Sequence, residues 1–367
     1  MKRVLVLEPY YGGSHKQFLD GLQENVSAEY SMLTLPARKW KMRMQLSAPW
    51  FGAKVEELPL KERGFDTVLC STFVDVGMLR AQLSRIKGWN ENCRFLTYFH
   101  ENQFIYPRRP GDKYFYQFTA INFNSALAAD QIAFNSNFNR ESFLSSCSKY
   151  VKSAADMDLS WTIDELREKS EVLYPGMDFT EFDNLGDKPE NSVPVIVWNH
   201  RWEHDKDPQA FFDGLAELEN EGVDFRLILL GQSFLHRPKC FEDALIQIRG
   251  KVVHSGFVAS YSDYVSLLHR ADIVVSTSIH EFYGIAVIEA LRAGCVPVLP
   301  DRLSYPELFE KKFLYREGKF AASLKKALLF RARIDPLEVK RLTDRYSWKS
   351  VTEKYEKWLL DEKDSLA

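Results

Sequence analysis

Short apolar runs alternate with segments of helical spacing through the first half of the chain. The runs have the length and composition of buried strands, and they cover Arg3–Leu7, Tyr30–Leu35, Thr67–Ser71, Arg94–Phe99, Gln131–Phe134 and Val172–Tyr174. Between them, Lys16–Asn25 and Phe115–Ala129 place apolar residues at helical spacing. Because strands that alternate with helices pair in parallel, this half predicts an α/β domain with a doubly wound sheet.

The same alternation returns after a stretch rich in Pro, Gly, Asp and Asn, which is typical of a linker. Further strands are predicted at Val195–Trp198, Phe225–Leu230, Lys251–His254, Ile273–Ser276 and Val296–Leu299, and helices at Pro208–Glu219, Tyr261–Arg270 and Ile285–Ala293. We therefore predict a first Rossmann-like domain over residues 1–180, a linker over 181–194, a second Rossmann-like domain over 195–345 and a helical segment over 346–367. Ligands are expected at the carboxyl ends of the strands, in a central cleft that both domains face.

Composition narrows the class of protein without deciding its activity. A chain of 367 residues with 45% hydrophobic and 27% charged residues is typical of two soluble domains with their own cores. With a net charge of −3, the molecule as a whole does not attract nucleic acid, although a local basic patch can still bind it. The five cysteines include no CxxC pair, which favours the reducing cytosol. The first apolar run is too short for a signal peptide, and no run of apolar residues is long enough to span a membrane.

The segment from Ser278 to Leu291 carries the most specific chemistry. It follows a predicted strand, turns at Gly284 and opens an apolar helix, with seven residues between Glu281 and Glu289. Amide groups at such a helix start favour a phosphate. Glu281 can accept hydrogen bonds from sugar hydroxyls, and Glu289 can accept two from a ribose. The alternative is that Glu281 caps the helix and Glu289 is a core acid with its own partners.

Three further loops follow predicted strands. Arg201 and Lys206 lie five positions apart and suit a pyrophosphate leaving group, although a solvated charged loop has the same composition. Gly12 and Gly13 let the backbone approach a ligand, and the alternative is a plain turn in which Ser14 caps the next helix. His100 ends a strand, where it can bind a sugar hydroxyl or transfer a proton, but a lone histidine is more often structural.

A basic segment in the first half has a composition that suits a contact with RNA. Pro36–Met44 is predicted as a short loop that combines a tryptophan, which can stack on an unpaired base, with cations, which neutralise phosphates. The alternative is a solvated loop whose tryptophan folds onto the core. The residues assigned to the acceptor or RNA are Ser14, His15, Arg38, Lys39, Trp40, Lys41, Arg43, Arg108 and Arg109. The pair Asp156 and Asp158 resembles a metal-binding motif but follows no buried strand, so we expect no metal and no other cofactor.

Taken together, these motifs resemble glycosyltransferase family 4 on the GT-B fold, over the whole chain. The resemblance implies retention of the anomeric configuration without a metal, and it makes His100, Glu281, Arg201 and Lys206 the catalytic residues. It implies a diphosphate on the two cations, a ribose on Glu289 and a transferred sugar held by Glu281, by the amides that follow it and by His100. The predicted donor-binding residues are Gly12, Gly13, Arg201, Lys206, Gly256, Phe257, Val258, Phe282, Tyr283, Gly284, Ile285 and Glu289.

A narrower resemblance is carried by the segments Gly12–His15, His100–Gln103 and Trp198–Lys206. They are similar to the tRNA-queuosine α-mannosyltransferases, and they depart from the wider family at Asn199-His200 and at Asp207, where glycines are usual. This implies transfer of mannose from GDP-mannose to the cyclopentenediol of queuosine in a tRNA anticodon. One alternative is a family 4 enzyme with a lipid or polysaccharide acceptor. Another is a non-catalytic protein that binds RNA or a nucleotide sugar.

Overall fold

The structure is a computed structural model that describes residues 1–107, 115–232 and 238–361. The chain forms two compact units. The first contains Met1–Met177 and the segment that begins at Trp348, and the second contains Asp178–Ser347.

The first unit has a parallel sheet of six strands in the order β2-β1-β3-β4-β5-β6. The strands are β1 (Arg3–Tyr11), β2 (Glu29–Pro36), β3 (Thr67–Ser71), β4 (Arg94–Phe99), β5 (Gln131–Phe134) and β6 (Ser170–Val172). The helices are α1 (Gly13–Asn25), α2 (Trp40–Glu56), α3 (Val76–Leu83), α4 (Phe115–Ala128), α5 (Asn137–Lys152) and α6 (Trp161–Glu168). Alternate residues of β1 enter the cores on the two faces of the sheet, Val4 and Val6 on one face and Leu5 and Leu7 on the other.

The second unit has a parallel sheet of six strands in the order β12-β11-β10-β7-β8-β9. The strands are β7 (Val195–Asn199), β8 (Arg226–Leu230), β9 (Val252–Gly256), β10 (Ile273–Val275), β11 (Val296–Pro300) and β12 (Leu314–Tyr315). The helices are α7 (Thr180–Asp183), α8 (Pro208–Asn220), α9 (Cys240–Gln247), α10 (Tyr261–Arg270), α11 (Ile285–Arg292), α12 (Tyr305–Leu308), α13 (Phe320–Leu329) and α14 (Pro336–Thr343). Single turns of 3-10 helix lie at Leu60–Glu62, His204–Lys206, Arg249–Lys251, Lys311–Phe313 and Asp344–Tyr346.

The last helix, α15 (Trp348–Leu360), packs in the first unit and contacts α1. Its buried side chains Trp348, Tyr355 and Trp358 join the core that contains Val4 and Phe18. The Tyr355 hydroxyl donates to the carbonyl of Tyr174 at 3.1 Å. The helix is thereby part of the core that supports β1 and α1.

The prediction of two α/β units built on parallel sheets is confirmed. Residues 181–194, predicted as a linker, instead lie in the second unit, where Asp183 pairs with Arg292 at 2.6 Å and the Lys188 ammonium donates to the carbonyl of Ala293 at 2.9 Å. The predicted loop over Pro36–Met44 is also wrong, because α2 begins at Trp40. Within the described residues, no helix is both long and apolar enough to cross a membrane.

Candidate active site

The two central strands of the second sheet, β7 and β10, are neighbours whose following connections lead to opposite edges of the sheet. In open parallel sheets, ligands bind outside the carboxyl ends of strands at such a reversal. The loop from His200 to Asp207 follows β7, and the loop from Ser276 to Gly284 follows β10. The structure therefore brings two of the predicted motifs to one edge of this sheet.

The buried Lys206 and the half-buried Glu281 form an ion pair at this edge. The Lys206 ammonium lies 3.2 Å from Oε2 of Glu281 and 3.2 Å from Oδ2 of Asp205, and it donates to the carbonyl of His280 at 2.8 Å. Lys206 is only 7% exposed. A buried ammonium needs partners of this kind, since loss of its hydration is costly.

The surroundings of Lys206 and Glu281 keep both side chains ionised. Burial would raise the pKa of Glu281, but Lys206 and then His200 lower it, to about 2. Burial would lower the pKa of Lys206, but Glu281 and Asp205 raise it above its ordinary value. Burial and the Lys206 charge together lower the pKa of the His200 imidazole to about 4. At neutral pH the site therefore holds an ammonium, a carboxylate and a neutral imidazole.

The turn that carries Glu281 is fixed by hydrogen bonds to its backbone. The Arg302 guanidinium donates to the carbonyls of Thr277 and Ser278 at 3.0 Å each, and the Ser304 hydroxyl donates to the carbonyl of Tyr283 at 2.9 Å. Gly284 has φ +107 and precedes α11 as its N-cap residue. This left-handed conformation favours glycine. Glu281 is not the N-cap residue of α11, although its Oε1 accepts a long 3.4 Å bond from the Tyr283 amide.

Glu289 lies inside α11 and is only 5% exposed. Its Oε2 accepts a 2.6 Å hydrogen bond from the Tyr264 hydroxyl, and its Oε1 accepts a 3.4 Å bond from the Tyr261 hydroxyl. The side-chain amide of Asn199 donates to the Tyr264 oxygen at 2.7 Å. Burial and then the Glu289 charge raise the pKa of both tyrosines above their ordinary value. Asn199, at the end of β7, therefore holds the Glu289 carboxylate in place through Tyr264.

Arg201 and the residues after β9 are more exposed. The Arg201 guanidinium pairs with Glu203 at 3.2 Å, and half of its side chain is accessible. Gly256 ends β9 with φ +124, and Phe257, directly after it, is 68% exposed while Val258 is half-buried. These residues follow an edge strand, two positions away from β7 in the sheet.

In the first unit, the reversal of the strand order lies at β1 and β3. His15, in the first turn of α1, is enclosed there by two carboxylates. Its Nδ1 bonds Oε2 of Glu8 at 2.9 Å, and its Nε2 lies 3.4 Å from Oε2 of Glu101. Burial would lower the pKa of His15, but Glu8 and Glu101 outweigh burial and raise the pKa to about 10. His15 is thus a cation with both ring N–H groups engaged.

His100 stacks on His15, with 4.0 Å between ring centroids. It is 8% exposed, and burial followed by the charge of His15 lowers its pKa well below the ordinary value. The imidazole of His100 is therefore neutral at physiological pH. A neutral imidazole has one donor and one acceptor nitrogen, which suits a sugar hydroxyl.

The glycine loop differs in detail from the prediction. Gly12 is extended and precedes α1 as its N-cap residue, so Ser14, which is exposed, does not cap the helix. A side chain at Gly12 would collide with Ala37. Gly13 has φ +54 and faces open space. His15, predicted as an RNA contact, is instead buried against Phe73 and His100.

The basic segment lies at the start of α2. Arg38 and Lys39 are exposed, and Lys41 and Arg43 are half-buried. Trp40 packs on Phe73, Tyr106 and Phe118 at centroid distances of 5.3 to 5.9 Å. Its indole is thus half-buried in an aromatic cluster and is no open platform for a base. Arg108 and Arg109 lie outside the described residues.

Four residues that complete these clusters were given no role by the sequence alone. They are Glu8, Glu101, Tyr264 and Asn199, which hold His15 and Glu289 in place. Glu8 ends the apolar run of β1 and Asn199 ends β7, both at a reversal of strand order, and that position was the signal available in the sequence. No group of three or more potential metal ligands occurs among the side chains that the structure describes.

Comparison with known proteins assigns both halves of the chain. Residues 3–177 match the family model described as tRNA-queuosine alpha-mannosyltransferase N-terminal, and residues 184–366 match the model of glycosyl transferases group 1. The chain is 33% identical to the tRNA-queuosine alpha-mannosyltransferase of Drosophila melanogaster, over 96% of this chain and 95% of the relative.

Solved structures with low sequence identity share the fold. A sucrose-phosphate synthase from Thermosynechococcus elongatus has a TM-score of 0.73 at 13% identity, covering 98% of each chain. A glycosyltransferase from Rickettsia africae has a TM-score of 0.65 at 14% identity, covering 99% of each chain. A lipopolysaccharide outer core galactosyltransferase has a TM-score of 0.64 at 13% identity, covering 97% of this chain and 98% of that one. The fold predicted from the sequence, GT-B, is thereby confirmed.

The raised pKa of His15 predicts how stability depends on pH. Its protonation stabilises the fold fully below the unfolded value of 6.5, and this contribution is lost as the pH rises towards about 10. We expect His15→Gln to lower the free energy of unfolding most at pH 6, with the difference from wild type shrinking by about 3 kcal/mol by pH 9. Urea unfolding at several pH values measures this difference. A difference that stays constant over the range would show that His15 carries no raised pKa.

Proposed function

The chain belongs to the tRNA-queuosine alpha-mannosyltransferase family and is a glycosyltransferase, and from this we propose that it transfers mannose from GDP-mannose to the cyclopentenediol of queuosine in a tRNA anticodon. The observation that carries the proposal is the ion pair of Lys206 and Glu281 at the reversal of the second sheet. We further propose that the protein acts in the cytosol, a compartment that suits its five free cysteines.

In the proposed reaction, the second unit holds the donor. Lys206 and Arg201 would neutralise the diphosphate as the glycosidic bond breaks. Glu281, kept ionised by Lys206, would accept hydrogen bonds from the hydroxyls of the transferred mannose. Glu289 would bind the ribose, and backbone groups of 254–258 would contact the base. We propose that the reaction retains the anomeric configuration, uses the leaving phosphate as base and requires no metal.

His100 would offer the transferred sugar one hydrogen-bond donor and one acceptor, both uncharged. A cation at this position would bind water strongly and would compete with the positive charge that develops on the sugar ring. Burial and, after it, the charge of the stacked His15 keep His100 neutral. The two histidines therefore have different tasks, since one is a fixed cation and the other a hydrogen-bonding group.

A protein that only binds RNA or a nucleotide sugar fits the site less well. The exposed Arg201 would be enough to bind a diphosphate, whereas the site also holds the ion pair of Lys206 and Glu281. Because enclosing an ion is costly, this pair fits a site in which fixed charges stabilise a transition state.

A lipid acceptor is a second candidate, favoured by one feature of α2. Its residues Met42, Leu46 and Trp50 are exposed at helical spacing, and cations accompany them without any acid from Pro36 to Val55. Apolar and basic residues on one helix are typical of a helix that lies in a membrane surface. The same cations are equally suited to tRNA phosphates.

The first prediction concerns turnover. Glu281→Gln is expected to lower kcat by about a hundredfold or more, because it removes the charge that Lys206 fixes beside the reacting sugar. Purified protein, GDP-mannose and queuosine-containing tRNA are incubated, and the digested nucleosides are measured by mass spectrometry. Glu217→Gln, an exposed glutamate of α8, is the matched control and keeps the wild-type rate. No gain of a hexose on queuosine with wild-type protein would refute the proposed function.

Donor binding supplies the second prediction. Tyr264→Phe removes the 2.6 Å hydrogen bond to Glu289 and is expected to raise the Kd for GDP about fivefold, the effect of one lost hydrogen bond. Tyr261→Phe, which loses only a 3.4 Å bond to the same carboxylate, is expected to have a smaller effect. Titration calorimetry measures both. Equal Kd values for both variants and wild type would mean that Glu289 does not contact the nucleotide.

The third prediction separates the tRNA acceptor from the lipid. Arg38→Ala combined with Arg43→Ala is expected to weaken tRNA binding and to reduce the slope of log K against log salt by about 1 to 2. Lys87→Ala, an exposed cation after α3, is the control and leaves the slope unchanged. In parallel, the protein is sedimented with vesicles of phosphatidylglycerol and phosphatidylcholine. An unchanged salt slope together with cosedimentation that Trp50→Ala abolishes would favour the lipid acceptor.

A further inference from the structure

Glu101 is the outermost of three charged side chains at the carboxyl edge of the first sheet. Its inner counterpart Glu8 has three bonds, because Oε1 accepts from the Tyr10 amide at 2.7 Å and from the Ser71 hydroxyl at 3.2 Å, while Oε2 is bonded to His15. Glu101 has fewer bonds within the described residues, one from the Thr72 hydroxyl at 2.8 Å and a long 3.4 Å contact with His15. Each carboxylate oxygen has two lone pairs, so Glu101 retains capacity for a ligand.

The charges of the three side chains do not sum to zero. Two carboxylates flank one histidine cation, which leaves one negative charge uncompensated. Glu8 and His15 are enclosed, whereas the side chain of Glu101 is 12% exposed, so the excess charge faces solvent there. An excess charge in a largely enclosed position favours a ligand that supplies a positive charge.

His100 gives a second and independent indication of a ligand at this place. Over the part of the chain that the structure describes, its ring nitrogens form no hydrogen bond, although the residue is only 8% exposed. Buried polar groups in folded proteins are nearly always hydrogen-bonded. The unpartnered imidazole lies directly against the His15 ring that contacts Glu101. Glu101 therefore lies next to the imidazole that is proposed to bind the transferred sugar, which is where an acceptor is needed.

We propose that Glu101 binds the acceptor through the protonated secondary amine that joins the cyclopentenediol to the deazaguanine ring of queuosine. The proposal rests on the proposed function, because that function supplies the acceptor. Secondary alkylamines are protonated at neutral pH, and a hydrogen bond between an ammonium and a carboxylate is about twice as strong as one between neutral groups. An unmodified guanine has no such amine, so Glu101 selects the modified anticodon.

In this arrangement His15 is a positioning residue. Its two N–H groups tie Glu101 to the enclosed Glu8, and the Thr72 hydroxyl fixes the other oxygen of Glu101. The carboxylate is thereby oriented before the acceptor arrives, which reduces the entropy that binding must offset.

Glu101→Gln tests the charge, because the amide keeps the shape and an acceptor oxygen. At saturating GDP-mannose, we expect the KM for queuosine tRNA to rise at least about tenfold. Glu24→Gln, an exposed glutamate of α1, is the matched control and keeps the wild-type KM. The Kd for GDP, measured by calorimetry, shows whether the variant is folded. Should Glu101→Gln fail to bind GDP, Thr72→Val removes only the orienting hydroxyl, and a severalfold rise in KM is then expected.

A tRNA that carries aminomethyl-deazaguanine at the same position distinguishes the amine from the diol, since this base keeps an amine but has no cyclopentenediol. We expect it to inhibit the wild-type enzyme competitively and to inhibit Glu101→Gln at least tenfold more weakly. A raised KM with unchanged inhibition would overturn the assignment to the amine and assign Glu101 to the diol. A wild-type KM in Glu101→Gln would overturn the inference while the transfer reaction stands. Absence of mannose transfer by the wild-type enzyme would refute both this inference and the proposed function.

Discussion

Both units depend on the same constraint, that an enclosed charge needs oppositely charged or hydrogen-bonding partners. In each unit these partners lie at one edge of the sheet. In the second unit, the Lys206 ammonium is enclosed and would be unstable there without Glu281, Asp205 and the carbonyl of His280. Those partners come from the loops after β7 and β10, so the pair fixes the two loops to each other. The Thr277 hydroxyl adds to this by donating to the carbonyl of Lys206 at 2.8 Å. A rigid ion pair at the reversal of a parallel sheet is therefore part of the fold as well as part of the candidate site.

The first unit meets the same constraint with the same arrangement of charges. Here one cation, His15, is shared by two carboxylates, and the negative charge in excess remains at Glu101. In the second unit, Lys206 is shared by Glu281 and Asp205 in the same way, yet Arg201 adds an exposed cation nearby in sequence. The difference agrees with the ligands proposed for each unit. A cationic amine is expected at the first and an anionic diphosphate at the second.

Much of the fold was predictable because buried parallel strands form continuous apolar runs. Thr67–Ser71, Arg94–Phe99 and Gln131–Phe134 were predicted with the bounds that the structure shows. The start of α2 was not, because Pro49 lies inside this helix and its apolar residues Met42 and Trp50 face solvent, which removes the usual amphipathic pattern. The two-residue strand β12 was missed because so short a run has no periodicity.

The candidate site was predictable only as far as its residues lie in recognisable motifs. Glu281 and Lys206 stand in such motifs, and the structure pairs them directly. Glu8 is different, since in the sequence it only ends an apolar run, and its bond to His15 depends on the packing of α1 against β1. A carboxylate at the end of a buried strand is costly unless a cation lies beside it. Glu8 in the first strand therefore already required a partner such as His15, and the charge of that partner adds to burial in keeping the neighbouring His100 neutral.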